Sequence, residues 1–241
     1  MKEAHLGSLT GMGMPIDTFV EELETGLNAP GRDRREHPFV NAVSTGTATG
    51  NQIAGWLHQF VSWADPSNKL LGVAYANCPD EDIREGLMEA ILEEEHGHSS
   101  NTAGHVELIG RTLAALGWDK QKCAADEMRL ESWCFRHWLE VVVRNRSFIE
   151  AITSLSFAAE RLNPAIFKKI ETGLRKHYDL SDDALLSISV HASDVEEEHG
   201  TMGPAILRRY ATSEHMQSQV RFAVYHTAEL YYRSYDVWKY Y

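Results

Sequence analysis

DEDIREGLMEAILEEEHG, residues 80–97, decides how the rest of the chain is read. Asp80 is a capping residue, and Ile83, Leu87 and Ile91 recur at the i, i+4 spacing of one helix face. A run of acids, Glu93, Glu94 and Glu95, follows on that helix. The polar, Gly- and Ser-rich stretch HGHSSNTAG (96–104) ends it, and a second helix over about 105–116 begins with His105 and is closed by Gly117.

The same helical period extends outward in both directions. Upstream, the pattern predicts a helix over 15–27, a polar loop over 28–36 and a short segment from His37-Pro38 to the STGTATG turn at 44–50. A helix capped by Thr49 or Asn51 then carries Ile53, Trp56, Leu57, Phe60 and Val61. Pro66 is expected to kink or break it, leaving a second piece at 68–77. Downstream, 124–160 lacks Pro and Gly and reads as a long helical stretch, unbroken or with one break, with Val141, Val142 and Val143 inside the helical period. Helices follow over 164–177, 181–198 and 214–238. No alternating strand of useful length occurs. The fold class is therefore all-α, a bundle of seven to nine helices in one domain over 15–241, behind a Gly/Met-rich, mobile 1–14.

Composition narrows the function. The 241 residues have a formal charge of −12, which excludes the basic footprint of a nucleic-acid binder. No apolar run has the length of a membrane span, and the N-terminus lacks the apolar core of a signal peptide. Cys78, Cys123 and Cys134 show no CxxC spacing, which points to a reducing, cytoplasmic setting rather than a disulfide scaffold. There is no GxGxxG, P-loop or GxSxG. The chemistry-bearing groups are carboxylates and imidazoles on helices. Beside the 93–98 run and His105 stands His191-Ala-Ser-Asp194, continued by Glu196, Glu198 and His199. At roughly 100° per residue, His191, Asp194 and Glu198 lie within about 60° of one another, on the stripe of Leu185 and Ile188. Titratable groups on an otherwise buried stripe need partners or a metal, and facing helices that offer Glu and His hold iron or manganese. Glu160, in SFAAERLNP, adds another such position. The bland reading is a set of solvated acidic faces, with Cys134 as core packing.

HPFVNAVSTGTATGNQIAGWLHQF (37–60), ANCPDEDIREGLMEAILEEEHG (76–97) and ERLNPAIFKKIETGLRKHYDL (160–180), followed by DVE and HG, resemble the pyrroloquinoline-quinone synthase (PqqC) group over roughly residues 36–210. The resemblance implies the heme-oxygenase-like fold, shared with the thiaminase II (TenA) proteins, and within it the diiron oxidase/oxygenase branch. That branch implies a small-molecule substrate, two Fe(II) ions and O₂ as co-substrate, in N-oxygenation or oxidative C–C cleavage of a small amine, amino acid or carboxylate. By the same resemblance the metal ligands are Glu94 or Glu95, His105, Glu160, His191, Asp194 and His199. The branch pattern on the last helix is His-x3-Asp-x2-His, whereas this chain has His191-x2-Asp194-x4-His199. On a regular helix Asp194 and His199 stand about 140° apart. A π-bulge would turn His199 inward; otherwise Glu198 takes the last place or Glu196 pairs with His199. The quinone synthases carry a His where this chain has Phe167, which disfavours quinone synthesis. Trp56, Phe60, Trp63, Trp133, Trp138, Phe157 and Tyr232 are candidates to line a pocket, and Arg136, Arg144 or Arg161 to clamp a carboxylate. The alternatives are a metal-free oxidase, a TenA-like hydrolase using Cys134, and a non-enzymatic interaction protein. The fold permits a homodimer, and electrons would come from a donor protein or from the substrate.

Overall fold

The computed structural model describes residues 11–193 and 202–241. Among them eleven helices follow in order: α1 Ile16–Leu27, α2 Pro38–Thr45, α3 Gly50–Asn77, α4 Glu81–His96, α5 His105–Ala115, α6 Leu130–Asn145, α7 Phe148–Ile152, α8 Asn163–His177, α9 Asp182–His191, α10 Met202–Tyr210 and α11 Glu214–Ser234. A short helical turn, Lys120–Ala125, precedes α6, and a π-helical stretch, Thr153–Glu160, prolongs α7. The described residues contain no strand, only an isolated bridge between Met12 and Ser213. None of the helices is long and apolar enough to cross a membrane.

The helices exceed the expected seven to nine because 124–160 is cut more than once and because α10, over Gly203 and Pro204, was not expected. Gln59 of α3 is buried, and its amide donates to Asp126 Oδ2 and the Glu127 carbonyl, both at 2.9 Å, while accepting from the Arg129 N–H at 2.8 Å. These bonds take up loop backbone that would otherwise continue a helix. Further on, Ser147 and Glu150 form a capping box that starts α7 afresh.

The opposite correction applies at Pro66. The expected break is absent: α3 runs through Pro66 without interruption. Proline removes the N–H that would bond the Ser62 carbonyl. Arg136 of α6 reaches that carbonyl instead, at 3.4 Å.

α3 is the axis of the bundle, packed by α4, α5, α6 and the terminal turn Tyr235–Tyr240. Its face carries Trp56, Phe60 and Trp63 into the main core with Phe39, Phe135, Phe167, Tyr231 and Tyr235. Phe135 stacks on Tyr231 at 4.5 Å, and Trp63 meets both rings edge-on. A smaller core, with Phe19, Leu23, Phe157, Leu207 and Val224, joins α1, α10 and α11 to the π-helical stretch. Gly173 lets the backbones of α8 and α2 touch, since a Cβ there would lie 2.5 Å from the Val43 carbonyl oxygen.

Candidate metal centre

The site is built where α4 ends and α5 begins. Gly97 closes α4 in the left-handed conformation, at φ +60°. Gly104 precedes α5, and a Cβ on it would lie 2.3 Å from the Glu95 carbonyl oxygen, so only glycine permits this approach. The tight return sets His105, the first residue of α5, against the last turn of α4. His105 Nε2 lies 3.1 Å from Glu93 Oε1, and Nδ1 lies 3.1 Å from Glu94 Oε1.

Glu93 is fully buried. Burial pushes its carboxyl up, but hydrogen bonds from His105 and from Ser100 and Ser99 outweigh that and hold it far below the usual carboxylate range. The Ser99 and Ser100 N–H groups donate to Oε2, at 2.7 and 3.1 Å. An ionised Glu93 only accepts, so His105 donates from Nε2 and presents Nδ1 to Glu94. This is the carboxylate–histidine pairing that orients a metal-binding imidazole.

α9 brings the next imidazole. Thr112 of α5 donates to the Ala184 carbonyl at 2.6 Å and meets Ser187 Oγ at 2.9 Å, locking α9 onto α5. His191, the last residue of α9, donates from Nδ1 to the Ser187 carbonyl at 2.6 Å, which leaves Nε2 with its lone pair. Burial, with His105 beside it, pushes this imidazole down to about 4, so it is neutral. Phe167 stacks on it at 4.8 Å and the His105 ring stands 4.6 Å away.

One atom each of Glu94, His105 and His191 falls within a 4.8 Å set, the group of this kind found among the described residues. Two imidazoles and a carboxylate converge in this space, and a cation, either a metal ion or a proton on His105, balances the carboxylate charge. The donor set is mixed nitrogen and oxygen, which suits a divalent transition metal. Glu94 and His191 also line a pocket of about 580 Å³ of empty space, and Glu160 lines it too. Glu160 ends the π-helical stretch, where Thr153 and Ser156 bond back to the carbonyls of Ile149 and Ile152, at 2.7 and 3.0 Å. Extra turns of this kind mark functional segments.

The structure thus brings Glu94, His105 and His191 together and puts Glu160 on the same pocket. Glu95 is exposed and outside the cluster. Asp194, Glu196, Glu198 and His199 lie outside the described residues, as does the bulge expected between Asp194 and His199. Glu93, the residue that orients His105, was not among the expected site residues. Of the expected aromatic lining, Phe60 and Trp63 reach the pocket. Trp56 and Phe157 are buried core, Trp133 is half exposed and stacks on His137, Trp138 packs on His226, and Tyr232 lies against His37. The expected arginine clamps face elsewhere: Arg136 reaches Glu140, Arg161 pairs with Glu24, and Arg144 lines a separate outer groove. Cys134 is partly exposed on α6 and is not among the pocket residues.

A pyrroloquinoline-quinone synthase of Ruegeria pomeroyi is 27% identical over 176 residues, 69% of each chain. The crystal structure of a TenA homologue from Pseudomonas syringae covers 100% of both chains at a TM-score of 0.78 and 14% identity. A Shewanella denitrificans domain with a heme oxygenase-like fold covers 93% of this chain and 90% of its own, at a TM-score of 0.70 and 15% identity. These two likenesses establish the fold. Residues 54–232 match the sequence profile of a family described as iron-containing redox enzyme, and the chain belongs to that family.

Proposed function

We propose that the chain is an O₂-dependent non-heme iron oxidoreductase acting on a small amine, amino acid or carboxylate. The observation that carries this reading is the convergence of Glu94, His105 and His191, with each imidazole oriented by a hydrogen bond from its other ring nitrogen. Glu94, His105 and His191 would hold one Fe(II), and Glu160 would contribute to a second, with Asp194 and His199 as the resemblance implies. Bound iron supplies the one-electron chemistry toward O₂ that side chains lack.

The protein's own part is positioning and exclusion. Glu93 keeps His105 in one tautomer, and Ser187 does the same for His191. Phe60 and Phe167 pack on the His191 ring and keep water from it. Trp63, Phe135, Leu139 and Leu155 give the pocket an apolar wall next to the carboxylates, so a substrate is held dry beside the ligand set.

A metal-free oxidase is the second reading, favoured by the similarity to a quinone synthase. In that case a proton, not a metal, sits between His105 and Glu94. Anaerobic Fe(II) titration separates the two. The iron reading expects tight binding that Glu94→Ala and His105→Ala each abolish while the helical circular dichroism is retained. Turnover with O₂ in rigorously iron-free protein would establish the other.

A further inference from the structure

Exposed apolar side chains gather on one side of this molecule. Leu130, at 70% exposure, and Trp133, at 52%, stand on the outer face of α6. Phe222 of α11, at 51%, lies beside them and meets Trp138 of α6 edge-on. Trp133 stacks flat on His137 at 5.0 Å, so the two rings present one broad aromatic surface to solvent. Clusters of exposed aromatic residues mark contact surfaces. The outer groove runs along one flank of the same helix. Val61, Leu70 and Val106 give it an apolar lining, α6 contributes Arg136, Glu140 and Arg144, and it has about 930 Å³ of empty space. On its rim Lys69 pairs with Asp65 and Arg136 with Glu140, which leaves Arg144 uncompensated among the described residues. The groove is therefore locally positive on a chain of formal charge −12, and a second acidic copy meets less repulsion here than the net charge implies.

The spacing along α6 is complementary to itself. At roughly 100° per residue, Trp133, Arg136, Glu140 and Arg144 fall within about 80° of one another, on the flank that borders the groove. A two-fold axis that pairs α6 antiparallel with its copy brings the same flank of both helices together. With that axis level with 138–139, Arg136 stands opposite the partner's Glu140, and Trp133 opposite the partner's Arg144. Both matches hold to within one residue, about 1.5 Å, and each contact is made twice. The indole thereby meets a guanidinium, its preferred cationic partner, and enters the groove that this arginine lines. Parallel pairing would bring opposite flanks together and lose both contacts.

We propose that the outer face of α6 and the groove beside it form an interface with a second copy of the chain, in which Trp133 of each protomer fills the groove of the other. A second copy is the occupant that supplies both the ring for the groove and the charges that match its rim. The contact is isologous and closes on itself, so it yields a dimer rather than a filament. None of Trp133, Arg136, Glu140 and Arg144 lines the pocket at the metal centre, and the inference stands independently of the iron reading.

The test is sedimentation velocity of the full chain over a micromolar concentration series. The wild type is expected to sediment as a dimer. Trp133→Glu changes a half-exposed position, so it is expected to keep the native helical circular dichroism and to sediment as a monomer. Arg136→Glu and Glu140→Arg each set like charges across both contacts and are expected to weaken the dimer by about tenfold or more. Each also breaks the ion pair within its own helix, so the two variants are then mixed in equal amounts. Mixing leaves the pair within each helix broken but restores opposite charges between copies, and the mixed dimer is expected to regain the wild-type dissociation constant. A wild type that stays monomeric throughout the series, a Trp133→Glu variant that dimerises as the wild type does, or a mixture that associates no better than its two components each overturns the inference.

Discussion

Glu93→Gln tests whether the orientation of His105 matters. Glu93 accepts three hydrogen bonds, from Ser99 N–H at 2.7 Å, from Ser100 N–H at 3.1 Å and from His105 Nε2 at 3.1 Å. A glutamine keeps the volume, and its oxygen still serves the two serine N–H groups. Its NH₂ then faces His105 Nε2, which must accept, so the ring proton moves to Nδ1 and points at Glu94. The lone pair aimed at the metal position is lost. Disturbing the partner of a ligating histidine typically costs about 10–100-fold in metal affinity, or about 1.4–2.7 kcal/mol. Weakening the charge-assisted bonds to the loop costs a further 1–2 kcal/mol or so of folding stability. Calorimetric Fe(II) titration reads the first quantity and urea unfolding the second. An Fe(II) affinity within about threefold of the wild type, in a variant of native helicity, would refute the argument that Glu93 sets the tautomer.

Other predictions concern the frame around the site. Phe135→Ala removes a fully buried ring stacked on Tyr231 and is expected to cost about 3–5 kcal/mol in urea unfolding. Gly173→Ala puts a methyl 2.5 Å from the Val43 carbonyl oxygen and should lower stability by about 1–3 kcal/mol through forced separation of α8 and α2, read as a drop in Tm. His37 is fully buried, and burial, outweighing the pull of Asp236, pushes it down to about 4. The unfolded chain therefore binds this proton more readily. The contribution to stability is complete above about pH 6.5 and is lost as the pH falls toward 4, reaching about 2 kcal/mol at pH 5. His37→Asn keeps the cap on the Phe39 N–H and should unfold with a smaller loss between pH 7 and pH 5 than the wild type does.

Much of this was legible in the sequence because it is local. The caps at Thr49 and Asp80, the stop at Gly117 and the helical period fix α1, α2, α4, α5 and α8 within a residue or two, whereas α9 ends at His191 rather than 198 and α11 at Ser234 rather than 238. The sequence reading leaves the register within the acidic run open between Glu94 and Glu95, although position along the stripe carries the signal that separates them. Ile83, Leu87 and Ala90 are buried, and continuing their spacing reaches Glu93 and Glu94 while leaving Glu95 on the outside. What escaped depends on partners distant in the chain. α3 survives Pro66 through an arginine some seventy residues away. The stretch 124–160 is cut by the side chain of Gln59. Arg34 reads as one more charge in a polar loop, and only the fold shows it lying over Tyr231 with Asn163 in its grip. No single segment contains these contacts, and so no periodicity reports them.

The central claim is that Glu94, His105 and His191 form an iron site. It is tested most directly by anaerobic Fe(II) titration of the wild type beside His191→Ala, with bound metal measured after desalting. The account predicts that the wild type retains iron and that His191→Ala loses most of it while keeping its helical circular dichroism. A wild type that retains no iron, or a variant that retains as much as the wild type, would contradict it.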